Sequence, residues 1–380
     1  MKRCELDQSL FGRCIRGFYK IKNTAYSLFE KKRPVNNERN ISLSEMTIMV
    51  ENFIEFRSSN FHISTGQKCA RYSTYLHSNR SYITLAQERL VMSYINLYKK
   101  KHKNGYLNRA IAMGRYIERS MAPEGIIPFH KPFFYPQDEG VSTYWAIPCF
   151  TELFNETSNS DFLRDAIELG EGGRNLLFGD KYGYTHTLGQ KIWCPNVSAI
   201  AAYAYKSLHE ATGDQKYLRW ARDGLKFSAD KMKKTGLFPY SETRPTLYMS
   251  IYQAITMALL MPFLKDSLGS EFNVSDRLRR ACAFLKTLIR EDGSVMEPEM
   301  KCYAYLPSMV ATLAVLKYIG EKEYFVRVSN FIKLFFQTKA PFLYISFDKK
   351  LYNGSMMDFH DVLMTEVLYW LTTIVDNNGV

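Results

Sequence analysis

The stretch from Asn196 to Phe227, NVSAIAAYAYKSLHEATGDQKYLRWARDGLKF, contains two apolar patterns joined by a short polar turn. The first half is rich in small residues, and the second half places apolar residues three or four positions apart among Lys and Arg. Both patterns are typical of α-helices. In the turn Thr212-Gly213-Asp214, the Asp carboxylate can accept hydrogen bonds from the first N–H groups of the second helix. The stretch therefore predicts an antiparallel helical hairpin.

The hairpin pattern recurs along the chain. An aromatic-Leu or related pair opens the second helix of each unit, with a weaker copy at Arg277-Leu278, and successive openings are separated by 56, 55, 60 and 47 residues. These second helices are expected to open at Tyr106, Phe162, Tyr217, Arg277 and Tyr324. The first helices are expected to start near Thr84, Ser142, Asn196, Thr246 and Pro307. A repeat at this period predicts an architecture of stacked hairpins.

Two further helices are predicted, at residues 43–56 before the five hairpins and at residues 358–374 after them. Pairing these two helices completes a sixth hairpin and closes the chain into a ring. We therefore expect an all-α protein with an (α/α)6 toroid fold. An open superhelix, whose end units would need polar caps, is the alternative.

Side-chain size predicts which helices line the ring. The first helices carry small residues, as at Ala199, Ala254 and Ala311, which suits a crowded inner layer, whereas the second helices carry most of the charges. Glycine-containing turns follow the second helices, for example at Gly125 and Gly236. The longer loops then lead to the amino ends of the inner helices, so we expect the functional site at that end of the ring.

The net charge of +12 is unevenly distributed, because residues 1–39 contain ten Lys or Arg and four Asp or Glu. We interpret residues 1–40 as a basic amphipathic leader and residues 41–380 as the toroid domain. Such a leader can lie on an anionic membrane surface or pack on the domain. With no apolar run of 18 residues and no signal-peptide pattern, we expect a cytoplasmic protein with peripheral contact at the inner face of the membrane.

Several classes of function lack their motifs. Seven cysteines occur without a Cys-x-x-Cys pair, which argues against a zinc site and a disulfide framework. No Gly-rich phosphate loop, nucleotide fingerprint or His-Glu-x-x-His motif is present. About half of the excess positive charge lies in residues 1–39, and a patch confined in this way disfavours a nucleic-acid partner. We expect no metal and no cofactor, although a bound divalent ion stays open.

The unit from Asn196 to Phe227, with its small-residue helix, Thr-Gly-Asp turn and Tyr-Leu start, resembles the six-hairpin α/α-toroid carbohydrate-active proteins. Glucuronyl C5-epimerase carboxy-terminal domains, unsaturated-glucuronyl hydrolases and toroid proteins of bacterial polysaccharide gene clusters share this pattern. The resemblance spans about residues 84–376. It implies the toroid fold and a glycan substrate, but leaves the reaction open. The Asp-x-Asp-Asp cluster of terpene cyclases and the zinc ligands of lanthionine cyclases are absent.

The loops that precede the inner helices provide the candidate site residues. Acids, His and Tyr can transfer protons, flat aromatic rings can stack on sugar rings, and Arg can bind a carboxylate with two parallel hydrogen bonds. The candidate catalytic residues are Asp138, Glu139, His186, Glu242 and Tyr248. The candidate substrate-binding residues are Tyr144, Trp145, Trp193, Arg244, Gln253, Tyr303, Tyr305 and His360.

Structural alternatives exist for these candidates. Trp145 can be a core residue, Arg244 can form a surface ion pair with Glu242, and Asn196 is expected to be the N-cap of its inner helix. The leading hypothesis is an enzyme that modifies an anionic surface or capsular polysaccharide, or its lipid-linked precursor, by epimerisation, elimination or hydrolysis. The alternative is a non-catalytic glycan-binding protein that scaffolds polysaccharide assembly proteins.

Overall fold

The computed structural model describes residues 41–61, 80–128, 139–246, 249–297, 302–304, 306–337 and 355–375. These ranges contain thirteen α-helices and two short β-hairpins. The helices are α1 (Leu43–Phe61), α2 (Arg80–Lys101), α3 (Asn104–Glu118), α4 (Glu139–Thr157), α5 (Ser160–Leu177), α6 (Pro195–Thr212), α7 (Gln215–Lys231), α8 (Met249–Leu260), α9 (Ser267–Glu271), α10 (Val274–Thr287), α11 (Leu306–Ile319), α12 (Lys322–Gln337) and α13 (Ser355–Ile374). The strands are β1 (Phe178–Gly179), β2 (Gly183–Tyr184), β3 (Met296–Glu297) and β4 (Cys302–Tyr303), paired antiparallel as β1–β2 and β3–β4.

Six helices form a closed inner ring. Going round the ring, α2 packs on α4, α4 on α6, α6 on α8, α8 on α11, α11 on α13, and α13 on α2. The second helices α3, α5, α7, α10 and α12 pack outside their own inner partners, and α1 packs on α13. The predicted pairing of the first and last helices is therefore confirmed, and the fold is an (α/α)6 toroid.

Burial explains why the two layers differ in sequence. The inner helix α6 buries Ser198, Ala199, Ala201 and Ala202, so small side chains let neighbouring inner helices approach closely. The outer helix α7 buries one face only and exposes its Lys and Arg residues on the other. The predicted assignment of first helices to the inner layer is confirmed.

The short turns carry the predicted caps. Asp214 is the N-cap of α7 and accepts a hydrogen bond from Lys216 N at 2.8 Å. In the equivalent turn before α5, the N-cap is Asn159, whose side chain accepts a hydrogen bond from Asp161 N at 3.0 Å. The next two residues, Ser160 and Asp161, already belong to the helix. Each cap satisfies an N–H group that would otherwise have no partner within the helix.

A five-residue turn recurs after three outer helices, at 122–126, 233–237 and 290–294. In each turn the first residue donates its N–H to the carbonyl of the fifth, and the fourth residue is a glycine with positive φ. At Gly236 the φ angle is 91°, and a Cβ atom there would collide with the carbonyl oxygen of Arg280 on the next outer helix. The predicted glycine stops thus also let successive hairpins pack tightly.

Residues 1–40, the predicted leader, lie outside the described ranges, so the predicted leader and its membrane contact stay predictions. Within the described ranges, none of the helices has the length and apolar character needed to cross a membrane. The ring itself accounts for residues 41–375 of the predicted toroid domain, with the gaps given above.

Candidate active site at the rim of the toroid

The inner helices all begin at one end of the ring, which we call the rim. Glu139 is the first residue of α4 and is buried there. The next residue, Gly140, donates its N–H to the carbonyl of His186 at 2.7 Å. A side chain at Gly140 would collide with the carbonyl oxygen of Thr185. Glycine therefore lets the start of α4 lie directly on the loop that carries His186, and two predicted residues come together.

Aromatic side chains extend this contact towards α8. The rings of His186 and Tyr240 lie 6.0 Å apart, and those of Tyr240 and Tyr252 lie 4.5 Å apart at an angle of 31°. His186 is buried, whereas both tyrosines are partly exposed. Glu139, His186, Tyr240 and Tyr252 are referred to below as the rim group. It combines an acid, an imidazole and two aromatic faces at the head of three inner helices.

Asn196 does not have the predicted role. The N-cap of α6 is Cys194, Pro195 fills the first helical position, and Asn196 lies inside the helix. Proline suits that position because its fixed φ matches the helix and the missing N–H has no partner there anyway. The prediction of an Asn196 cap is therefore wrong. Its side chain is buried, and Oδ1 accepts no hydrogen bond from the protein.

The contacts of Gln253 favour a structural role over substrate binding. Its Oε1 accepts from Phe238 N at 2.8 Å, and its Nε2 donates to the carbonyls of Gly236 at 2.8 Å and Ala281 at 3.0 Å. The side chain is buried and links α8 to the recurrent turn and to α10. A ligand could bind this amide only by replacing backbone hydrogen bonds.

Glu297, at the end of β3, is similarly engaged. Both carboxylate oxygens accept from Ser250 N at 3.2 Å, and Ser250 Oγ also donates to Oε1. A carboxylate at the start of a helix stabilises its free N–H groups and complements its dipole. Glu297 therefore acts as an N-terminal cap for α8, supplied from a different part of the chain.

Tyr144 and Trp145 are both buried on α4. The Tyr144 hydroxyl donates to the carbonyl of Gly173 at 2.9 Å, so it points towards the outer helix α5, and burial raises its pKa. Trp145 lies beneath the rim and forms contacts with three other inner helices, described below. These positions suit core residues, and neither ring presents a free face to the rim.

The loop that precedes α6 and the loop that precedes α8 meet at Trp193. Glu242 N donates to the carbonyl of Trp193 at 3.3 Å, while Lys231 lies over the Trp193 ring at 4.7 Å. Glu242 and Arg244 are both exposed, and the structure shows no ion pair between these two described side chains. Arg244 follows Tyr240 of the rim group in a turn closed by the hydrogen bond from Tyr240 N to Pro245 O at 3.2 Å.

The remaining predicted residues stay predictions. Asp138, Tyr248 and Tyr305 lie outside the described ranges. Tyr303 lies in β4 and His360 in the first half of α13, which places their backbone but not their side chains. In the part of the chain that the structure describes, no group of three or more His, Cys, Asp or Glu residues is placed to hold a metal ion.

A charged cluster on the inner helices was not predicted. Arg89 on α2 is only 3% exposed, and its Nε lies 3.7 Å from Oε2 of Glu366 on α13. The Arg89 guanidinium also stacks on the Trp145 ring, 3.8 Å from its centroid. The preceding residue, Glu88, is fully buried. Glu88, Arg89 and Glu366 are referred to below as the central charged cluster.

The position of Trp145 locates this cluster near the axis of the ring. Its ring lies 6.2 Å from that of Tyr203 on α6 and 5.9 Å from that of Tyr369 on α13. Helices α6 and α13 are not neighbours, because α2 and α4 lie between them in the ring. A side chain on α4 can contact both only from the interior. Arg89 and Glu366 therefore lie beside aromatic side chains of the inner helices near the axis of the toroid.

Burial has a strong effect on the acid of this cluster. It raises the pKa of the Glu88 carboxyl well above its ordinary range, and the positive charge of Arg89 offsets the rise only in part. Burial therefore favours the protonated, uncharged form of Glu88. A sequence signal existed, since Gln87-Glu88-Arg89 interrupts an otherwise apolar segment of a helix that small residues and order along the chain assign to the inner layer.

The ring of six hairpins and the rim group define the class, a protein with an (α/α)6 toroid fold. Among solved structures, the chain is similar to cellobiose 2-epimerase from Bacillus thermoamylovorans, with a TM-score of 0.52 and 13% identity over 66% of this chain and 76% of that one. A glycoside hydrolase family 76 mannosidase from Bacteroides thetaiotaomicron gives a TM-score of 0.51 and 12% identity, over 77% of this chain and 87% of that one.

A polysaccharide lyase gives a TM-score of 0.52 and 12% identity, and the match covers 86% of this chain and 97% of the lyase. These structures are toroid carbohydrate-active proteins, and at such low identity the similarity establishes the fold alone. No family model and no curated protein matches the sequence.

Proposed function

We propose that the protein is a carbohydrate-active enzyme that acts on an anionic surface polysaccharide, and that the rim group is its catalytic centre. The observation that carries the proposal is the contact between the start of α4 and the His186 loop, which places Glu139 and His186 together at the mouth of a closed toroid. The similar solved structures, by their names an epimerase, a mannosidase and a polysaccharide lyase, support a sugar substrate.

The rim group suits proton transfer at carbon better than hydrolysis. Hydrolysis of a glycosidic bond uses two carboxyl groups that face each other across the bond. Among the described rim residues, Glu297 is engaged by Ser250 and Glu242 is exposed on the surface, which leaves Glu139, at a helix start that contacts the backbone of His186. One acid and one histidine can serve as the base and the acid of an epimerase or a lyase.

The reaction would begin at C5 of a uronic acid unit, where the carboxylate makes the C–H bond acidic. One member of the Glu139–His186 pair removes the C5 proton, and the electron pair passes into the carboxylate. In epimerisation the other member returns a proton to the opposite face. In elimination the C4–O bond breaks, a C4=C5 double bond forms, and the departing oxygen takes a proton from the acid.

Arg244 is our candidate for the group that binds the uronate carboxylate. It is exposed and lies in the turn that begins at Tyr240 of the rim group, where Arg244 N also donates to Ser241 Oγ at 3.2 Å. Guanidinium binds carboxylates with two parallel hydrogen bonds. The partly exposed stacked rings of Tyr240 and Tyr252 offer an apolar surface for a sugar ring.

The test is incubation of the full chain with a panel of uronate-containing polysaccharides in D2O. Deuterium at C5 detected by NMR indicates proton abstraction, new ultraviolet absorbance indicates an unsaturated product, and new reducing ends without absorbance indicate hydrolysis. We expect exchange at C5 with or without elimination. Glu139→Gln and His186→Asn should each lower the rate by about 10²-fold to 10⁴-fold.

His209→Asn is the matched control for His186, because His209 is exposed near the opposite end of α6 and should leave the rate unchanged. Full activity in both rim variants would overturn the site assignment. Binding of the polysaccharide without any of the three chemical changes would instead support the second candidate, a non-catalytic scaffold for polysaccharide assembly.

The cellular place of this reaction also belongs to the proposal. The basic segment 1–39 would hold the enzyme near the cytoplasmic face of the membrane, where lipid-linked glycan precursors are exposed. Flotation with vesicles of anionic lipid, compared between the full chain and a chain lacking residues 1–39, tests this point. Equal flotation of the two chains would remove the membrane role.

A further inference from the structure

The central charged cluster has unused hydrogen-bonding capacity. Neither carboxyl oxygen of Glu88 has a hydrogen-bond partner in the protein, and neither has Nη1 of Arg89. All three atoms are buried. An unsatisfied buried polar atom costs about 1–3 kcal/mol, so three of them on one turn of α2 call for a partner that satisfies them.

The charges of the cluster are already balanced. Arg89 forms an ion pair with Glu366, whose other oxygen accepts from Trp370 Nε1 at 3.2 Å. Burial raises the pKa of Glu88, which favours its uncharged form. The cluster therefore lacks hydrogen-bond partners but does not lack a counter-charge. An anionic ligand would lie beside the Glu366 carboxylate without a compensating charge of its own, which is unfavourable in a buried site.

We propose that the central charged cluster is a subsite for an uncharged sugar unit, whose hydroxyl groups accept a hydrogen bond from Arg89 Nη1 and exchange hydrogen bonds with Glu88. Hydroxyl groups can both donate and accept, so they match a neutral carboxylic acid and a guanidinium N–H at no cost in charge. The subsite rests on the proposed function and adds a substrate class, a polysaccharide in which a neutral sugar adjoins the uronic acid.

The geometry of α4 relates the two parts of this site. Trp145, which stacks on Arg89, follows Glu139 of the rim group by six residues, or about 9 Å along the helix axis. The uronic acid would thus occupy the rim while the neutral unit lies deeper, near the axis of the ring. The Arg89 guanidinium lies 3.8 Å from the centroid of the Trp145 ring and 5.5 Å from that of Tyr369, and these two contacts restrict its orientation.

The test measures binding of monosaccharides to the full chain by saturation-transfer NMR and calorimetry. Glucose, galactose and mannose are the neutral probes, and glucuronate is the charged one. We expect at least one neutral sugar to bind about tenfold more tightly than glucuronate. Glu88→Leu and Arg89→Met should each weaken that binding by about tenfold or more. Glu88→Gln, which keeps a neutral hydrogen-bonding group of the same shape, should stay within about threefold of the wild type.

Asp165→Asn is the matched control. Asp165 is also a buried acid with an unpartnered oxygen and a pKa raised by burial, but it lies on the outer helix α5. Its variant should bind sugars like the wild type. Thermal unfolding of every variant identifies any that fails to fold, and Glu88→Gln keeps the test informative if the Leu and Met variants do not fold.

The outcomes separate this inference from the proposed function. If no neutral sugar binds, or if the Leu and Met variants bind as the wild type does, the unsatisfied atoms bind internal water only and the inference fails. Turnover of a polysaccharide together with that result leaves the proposed function standing. Neutral-sugar binding that depends on Glu88 and Arg89, without any turnover, overturns the proposed enzyme while retaining the subsite.

Discussion

Two groups of buried polar residues, one around α8 and one on α2, differ in how many of their polar atoms have a hydrogen-bond partner. Around α8, Gln253 and Glu297 direct their polar groups at backbone N–H and carbonyl groups of neighbouring elements and at Ser250. On α2, Glu88 and Arg89 are equally buried, yet three of their polar atoms have no partner. The hydrogen bonds of the first group link segments of the chain. The second group has buried donor and acceptor atoms that a ligand could bind.

The comparison shows that burial alone does not separate a structural polar residue from a functional one. Gln253 was predicted to bind substrate, and its contacts favour a structural role. Glu88 and Arg89 were not predicted, and they are the better candidates for binding. The deciding quantity is the number of donors and acceptors that remain once the protein's own hydrogen bonds are formed.

The largest expected effect comes from Gln253→Leu. The change removes three hydrogen bonds and leaves Phe238 N and Gly236 O buried without the partners that Gln253 provides, so the free energy of unfolding should fall by about 3–4 kcal/mol. Urea unfolding followed by circular dichroism measures it. The exposed Gln215→Leu is the control and should stay within about 0.5 kcal/mol of the wild type. A loss no larger than the control's would contradict the structural role of Gln253.

A smaller loss is expected for Glu297→Gln. The amide keeps one acceptor oxygen for Ser250 but removes the negative charge at the start of α8, so the free energy of unfolding should fall by about 1–2 kcal/mol. The same urea titration measures this change. An unchanged midpoint would show that Glu297 does not stabilise α8, and the contrast between the two groups would then rest on Gln253 alone.

An effect of the opposite sign, which depends on pH, is expected for Glu88→Gln. Because burial raises the pKa of Glu88, the folded protein retains its proton more strongly than the unfolded chain does. The contribution of Glu88 to the free energy of unfolding is therefore fully present below the ordinary glutamate pKa and is lost as the pH rises through the raised pKa. Glutamine does not titrate and avoids this loss.

The free energy of unfolding of Glu88→Gln should accordingly equal that of the wild type at about pH 4.5. It should become larger than that of the wild type as the pH rises towards about 8. Urea unfolding at both pH values measures the difference, and Asp276→Gln, a partly exposed acid whose pKa is lowered by its hydrogen bond with Arg279, should differ from the wild type by the same amount at both pH values, because a lowered pKa affects stability only below this range. A Glu88→Gln variant that is less stable than the wild type at the higher pH would mean that Glu88 is ionised and partnered in the fold.

Much of the toroid could be predicted because its determinants are local. Helical periodicity, the Thr-Gly-Asp turn and the glycine stops lie within about sixty residues of one another, so each hairpin is specified by its own segment. The predicted helix starts at Asn196 and Pro307 fall within one residue of the observed starts of α6 and α11. The Asn196 cap failed because Pro195 at the first helical position moved the N-cap back to Cys194.

The candidate site could be predicted only in part, since its contacts join distant segments. Loop position was enough to select Glu139 and His186, and the structure brings them together through Gly140. The partners of Gln253 lie in the recurrent turn and in α10, and those of Arg89 lie on α4 and α13. No local pattern reveals whether a polar side chain will meet such partners.

By itself, the sequence determined the repeated hairpins, the small-residue inner helices and the end of the ring where long loops gather, because propensity, capping and periodicity act over short distances. Only the tertiary structure decided which buried polar groups are satisfied. That outcome depends on helices up to about 280 residues apart in the chain, as for Arg89 and Glu366, which ring closure brings together in a buried environment. In this environment Glu88 and Arg89 keep buried polar atoms without a hydrogen-bond partner, whereas the polar groups of Gln253 and Glu297 around α8 are hydrogen-bonded.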